Sequence, residues 1–134
     1  MGRSNCLIGL ACLITLLFQP LLVAQGPQSA RVKAIVEKGI SFLEGDLTGY
    51  DQMKTPGGPV IVGLAIYKYH DVYGVSGGKN HPKVVKAKTN AVSIAQTVAS
   101  PSYSGEKKFY EAGMAAILLL EVDPDGYRPQ IASL

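Results

Sequence analysis

Two kinds of hydrophobic pattern alternate along this chain, one spaced at helical intervals and one running almost unbroken. Val32, Ile35, Val36, Ile40 and Leu43 recur every three to four positions, which predicts an amphipathic helix over 30–44 with Ser29 as its N-cap and Gly45-Asp46 as its stop. Residues 47–58 carry Thr48-Gly49, Thr55-Pro56 and Gly57-Gly58 and read as a loop. Pro59 suits the first turn of a second, mostly apolar helix over 59–73. Its β-branched residues also allow a buried strand over 60–66, but the length of the segment and its bounding Pro and Gly74 favour helix. After a second loop at 75–80, Pro82 opens a third helix over 83–99. Val84, Ala91, Ala95 and Val98 share one stripe of it, with Lys83, Lys86 and Lys88 elsewhere.

Ser100-Pro101 breaks that helix, and 102–105 connects it to a fourth over 106–122. From Ala112 to Leu120 every residue is apolar or Gly, so this helix is greasy on all sides and is expected to be buried among others. It is too short for a membrane span, which takes about 20 apolar residues, and Glu111 and Glu121 bracket it. Asp123-Pro124-Asp125-Gly126 suits a turn. Pro129 then opens a fifth helix, 129–134, of little more than one turn. A single turn has no reason to fold in isolation, which leads to the expectation that the polypeptide is truncated after Leu134.

The pattern repeats. An offset of 52 lays Gly39-Ile40-Ser41-Phe42-Leu43-Glu44 over Ala91-Val92-Ser93-Ile94-Ala95-Gln96, and an offset of 50 lays Gly63-Leu64-Ala65-Ile66 over Gly113-Met114-Ala115-Ala116. Each unit is a helix, a polar loop and a greasier helix, about 50 residues in all. Stacked helix pairs bury a shared core only when neighbours are present.

Composition changes the picture mainly at the N-terminus. Arg3, the apolar run Leu7–Phe18 and Leu22-Val23-Ala24-Gln25 read as a secretory signal peptide over 1–25, with an uncleaved anchor as the alternative. Gln19-Pro20 interrupts the run and Ala24 suits a peptidase, which favours cleavage. Cys12 does not fit a lipoprotein site, because Gly9 stands where Leu is expected. Both cysteines, Cys6 and Cys12, fall inside this leader, so the remainder has neither a disulfide framework nor a thiolate metal site. Of the 13 Lys and Arg only Arg3 lies there, leaving 12 against 10 acids, a balance of +2. That is too small to argue for nucleic acid or an anionic surface. The membrane enters only through the leader, if it is uncleaved.

Few residues suggest chemistry. Asp123 and Asp125 are weak candidates for an acid pair in which one carboxyl stays protonated and donates its proton; the plainer alternative is that they cap a turn. His70-Asp71 and His81 are the only imidazole and carboxylate candidates for an open zinc site. His70 near a helix end also suits the helix dipole, and no metal is expected. Gly57-Gly58 lacks the Lys-Ser/Thr that a P-loop places after its glycines, and no cofactor is expected.

Val36-Glu37-Lys38-Gly39-Ile40-Ser41-Phe42-Leu43, the run Glu111–Leu120 and Asp123-Pro124-Asp125-Gly126-Tyr127 together resemble the α/α-toroid superfamily. The resemblance is to its prenyltransferase and squalene-oxidase repeat proteins, which are terpene cyclase-like and include exported bacterial ones of unassigned role. It implies an all-α fold: helix-pair repeats of an incomplete α/α toroid over 26–134, preceded by the signal peptide. It also implies that Tyr67, Tyr69, Tyr73 and Tyr110 are weak candidates to line an apolar, carbocation-stabilising inner wall. The departures are plain. Cyclases of this superfamily carry Gln…Trp motifs and an Asp-x-Asp-Asp acid, whereas this chain has no Trp and Gly126 follows Asp125. Prenyltransferase zinc needs a Cys that the chain after the leader lacks. The expected function is an exported helical-repeat protein without catalytic residues in this segment, secreted or in the periplasm or cell envelope, binding a protein partner or an apolar small molecule. The alternatives are the N-terminal part of an enzyme whose active site lies downstream, and a structural helical domain of the cell envelope.

Overall fold

The computed structural model describes residue 26, residues 28–45, 55–100 and 108–134. The leader at 1–25, most of the 47–58 loop and the 102–105 connection lie outside the described residues. Five α-helices are described: α1 (Ala30–Glu44), α2 (Gly57–Tyr73), α3 (Pro82–Thr97), α4 (Lys108–Val122) and α5 (Arg128–Ser133). A single 3-10 turn, Gly78–Asn80, joins α2 to α3, and the described residues contain no strand. None of these helices is long and apolar enough to cross a membrane.

The helix boundaries follow from local chemistry. The Ser29 hydroxyl accepts the Val32 N–H at 3.4 Å and starts α1. Gly74, at φ 65°, ends α2 in the left-handed conformation that suits glycine. Pro82 occupies the first turn of α3, where a missing N–H costs nothing. The side chain of Asp123 accepts the Gly126 N–H at 3.0 Å, which sets the turn into α5.

Among the described residues, two boundaries differ from the sequence expectation by two residues, and the start of α3 and both ends of α5 differ by one. Helix α2 begins at Gly57 rather than Pro59. A Cβ at Gly57 would sit 2.8 Å from Cγ of Glu111, so glycine lets this first turn pass directly over that side chain. Helix α3 stops at Thr97 rather than 99, where the Ser100 N–H turns back to the Thr97 carbonyl. The strand considered for 60–66 is helical, because its β-branched residues are spent on burial: Val60 and Ile66 are sealed in the core.

The core is a three-helix unit. Val60, Ile66 and Tyr67 of α2 meet Val84, Ala87, Ala91 and Ile94 of α3 and Ala115, Leu118, Leu119 and Val122 of α4. The closest approach is at Gly63, where an added Cβ would lie 2.2 Å from Cβ of Ala87 and 3.1 Å from the Lys83 carbonyl oxygen. Helix α5 rests on the far end of α3, its Ser133 hydroxyl donating to the Ala95 carbonyl at 3.3 Å.

Helix α1 and helix α4 are less buried than their sequences imply. Of the α1 stripe only Ile40 is buried, and Ile35 is 63% exposed. The expectation that α4 is enclosed on all sides is corrected: Leu118 and Leu119 are sealed, but Phe109 is 84%, Ile117 47% and Leu120 49% exposed. An uninterrupted apolar run carries no periodicity that would reveal this split, and α2 and α3 together cover only one half of the helix.

Candidate functional site

Three places were open to a functional reading from the sequence, the fold adds a fourth, and it treats each differently. The first is the junction of α1, α2 and α3. Glu44, in the last turn of α1, presents Oε1 at 3.5 Å from Nε2 of His70 and 3.8 Å from Nε2 of His81. The two imidazole rings lie 6.0 Å apart. His70 is locked by the loop after α2: its Nδ1 faces the carbonyl oxygens of Val75 at 3.2 Å and Ser76 at 3.3 Å. Both partners only accept, so Nδ1 carries the proton. Nε2 of His70 is buried, makes no hydrogen bond and faces the Glu44 carboxylate. His81 is the reverse. Its Nδ1 accepts the Lys83 N–H at 3.3 Å as the N-cap of α3, which leaves the proton on Nε2.

One carboxylate thus faces a ring nitrogen of each histidine. A metal ion needs a lone pair from each ring nitrogen it binds, and the capping role of His81 withholds one. Asp71, the carboxylate considered with them, turns away to accept from Lys68 Nζ at 3.3 Å. Among the described residues no group of three or more His, Cys, Asp or Glu is placed to hold a metal ion. What the junction does is fasten α1. Lys83 Nζ donates to the Leu43 carbonyl at 2.5 Å and also to that of Gly45, so a cation from α3 satisfies the open C-terminal carbonyls of α1. Lys83→Met is expected to lower stability by about 1–2 kcal/mol. Hydrogen exchange should quicken over 30–44 well before it does in α2 or α3.

The second place is the acidic turn. Asp123 is occupied by the Gly126 N–H. Asp125 accepts from Arg128 at 2.7 Å, and both partners of that pair are largely exposed. The carboxylates cap and brace a solvated turn. The third is the set of tyrosines, which the fold scatters. Tyr67 is buried between α2 and α4 and donates to the Glu121 carbonyl at 2.9 Å. Tyr69 and Tyr73 pack with their rings tilted and ring centres 5.2 Å apart beside α1, where Lys33 Nζ lies 5.6 Å from the Tyr73 ring. Desolvation, and then the Glu37 and Glu44 carboxylates, push the Tyr69 phenol above its ordinary range. Tyr110 stands apart over an open cleft of about 360 Å³ with Gly57, Ile61 and Glu111. Toward the C-terminal ends of α2 and α4, Lys68 donates to Glu121 at 3.0 Å. That bond, followed by the one to Asp71, holds its ammonium above the usual lysine range. Such an exposed pair adds little stability.

The fourth place is the outward half of α4, which the sequence reading took as interior. Phe109, Gly113, Ile117 and Leu120 fall on one face at spacings of three to four, all exposed. A Cβ added at Gly113 would meet nothing within 4 Å. This face gathers three exposed large apolar side chains, Phe109, Ile117 and Leu120, on one helix.

No family model, no curated protein and no solved structure matches the chain. The site therefore has to be read from its own residues: a hydrogen-bonded junction that holds helices together, a capped turn, three separate tyrosine environments, and one open apolar face.

Proposed function

We propose that the chain is a helical-repeat binding module, of the helix-pair kind found in α/α toroids and their prenyltransferase and squalene-oxidase relatives, that takes a helical protein partner on the outer face of α4. It is exported behind a signal peptide at 1–25 and acts by binding, with no catalytic residue in this segment. The observation that carries the reading is the exposure of Phe109, Ile117 and Leu120 in one stripe on a helix whose other face is fully packed. Contiguous exposed apolar patches mark interaction sites and ligand-binding grooves on folded proteins. The capped, solvated state of Asp123 and Asp125 and the scattering of the tyrosines support binding over proton chemistry.

A charge placed on the stripe tests the reading. Ile117→Glu should leave the helical circular dichroism and the melting temperature nearly unchanged, because the side chain is already half in water. It should remove most of the fluorescence enhancement that the native protein gives to anilinonaphthalene sulfonate. Unaltered dye binding by this variant would remove the α4 face as a binding surface.

A further inference from the structure

The repeat offsets and the burial pattern, taken together, say what fits the open face. An offset of 50 carries the buried residues Pro59, Val60, Gly63 and Tyr67 of α2 onto Phe109, Tyr110, Gly113 and Ile117 of α4. In α2 the middle of that face is covered by α3, with Gly63 admitting Ala87, while Tyr67 reaches α4 and donates to the Glu121 carbonyl. In α4 all four equivalent residues are exposed.

The same comparison runs in the other direction from α3. An offset of 52 carries its N-cap His81 onto Ser29, the N-cap of α1, so the two helices start in register. It also carries Ala87, Ala91 and Ile94, all buried, onto Ile35, Gly39 and Phe42 of α1. Those three are exposed, Phe42 to 71%, and a Cβ at Gly39 would meet nothing within 4 Å. The unit therefore buries one helix–helix joint in its middle, between α2 and α3, and carries the two halves of the same joint uncovered at its ends.

We infer that the chain associates head to tail with a second copy of itself. The α1 edge of one copy seats on the α4 face of the next, and Ile35 enters the notch at Gly113 as Ala87 enters the notch at Gly63. The inference rests on the proposed binding role of α4 and names its partner. The contact is heterologous, since each copy gives a different surface. It therefore propagates into a ring if the rotation closes and into a filament if it does not. Ridge-into-groove packing, with the Ala87 methyl seated opposite a glycine, is the geometry that α2 and α3 already share.

Sedimentation velocity on the full-length protein, with Ile35→Glu and Ile117→Glu variants, tests this directly. Native protein should associate with rising concentration. Each variant alone should dissociate, its affinity lowered by about 30-fold or more by a charge at the centre of the contact. An equimolar mixture retains one intact joint, the native α1 edge of Ile117→Glu against the native α4 face of Ile35→Glu, and should form a discrete 1:1 dimer. Association that persists in the Ile35→Glu variant, as pairing of α4 with α4 would give, overturns the inference. So does a mixture that stays monomeric, or a native protein that stays monomeric at all concentrations. If dye binding at α4 survives such a result, the face still serves another partner and only self-association fails. If dye binding is also insensitive to Ile117→Glu, the binding role falls with it.

Discussion

Gly63→Ala is expected to be the most damaging single-methyl change in the chain. The new Cβ would lie 2.2 Å from Cβ of Ala87, 3.1 Å from the Lys83 carbonyl oxygen and 3.4 Å from Cα of Val84. Two of those three atoms are backbone, and the third is attached to it without a rotatable bond, so α3 must move as a body. Overpacking of this kind costs about 2–3 kcal/mol, against which the better helix propensity of alanine returns about 1 kcal/mol at most. The expected net loss of about 1–2 kcal/mol shows as a melting point lowered by roughly 4–10 °C, and Gly63→Leu should prevent cooperative folding. Gly113→Ala, at the equivalent place on α4, meets open space. Measured on dilute protein, it should be neutral or stabilising by about 0.5–1 kcal/mol. Equal destabilisation by the two alanines would contradict the assignment of one glycine to a joint and the other to a surface.

Leu118→Ala and Leu120→Ala should differ just as sharply. Leu118 is fully buried in the cluster shared by α2, α3 and α4, so truncating it removes apolar contact and leaves a cavity. The expected cost is about 3 kcal/mol. Leu120 is 49% exposed, and its truncation should cost less than about 1 kcal/mol. Urea denaturation of the two variants, compared at constant slope, reads this difference. Similar losses from both would mean that α4 is enclosed after all.

These pairs also mark where the sequence stopped being informative. The helix limits were legible wherever a residue acts on its own neighbours: Ser29 on Val32, Gly74 at its left-handed φ, Pro82 in a first turn, Asp123 on Gly126. The stripe of α3 was legible because small and polar residues interrupt it. The run Leu118-Leu119-Leu120 was not, since three identical residues cannot say which two face inward. His81 hid its role for another reason. An imidazole nitrogen does at α3 what the Ser29 hydroxyl does at α1, and the two have no chemical likeness in a sequence. Glu44 and Lys83 became visible only through contacts reaching 26 to 40 residues along the chain. The early start of α2 at Gly57 likewise depends on Glu111, which no local pattern near residue 57 announces.

The fastening of α1 is mostly polar. Gln28 donates to the Val72 carbonyl at 3.1 Å, Lys33 lies over Tyr73, Glu44 faces the two histidines, and Lys83 caps the last carbonyls. Only Ile40 adds a buried apolar side chain. A helix held this way keeps its opposite, apolar edge of Ile35 and Phe42 available. That arrangement leaves a repeat edge open to a neighbour.

The most direct test of the whole account is a carbon-edited NOE spectrum of the labelled protein at a concentration where it is monomeric. The account predicts a strong cross-peak between the Gly63 α-protons and the Ala87 methyl, and no inter-helix cross-peak at the Gly113 α-protons. Absence of the Gly63–Ala87 cross-peak, or helix contacts at Gly113 matching those at Gly63, would contradict it.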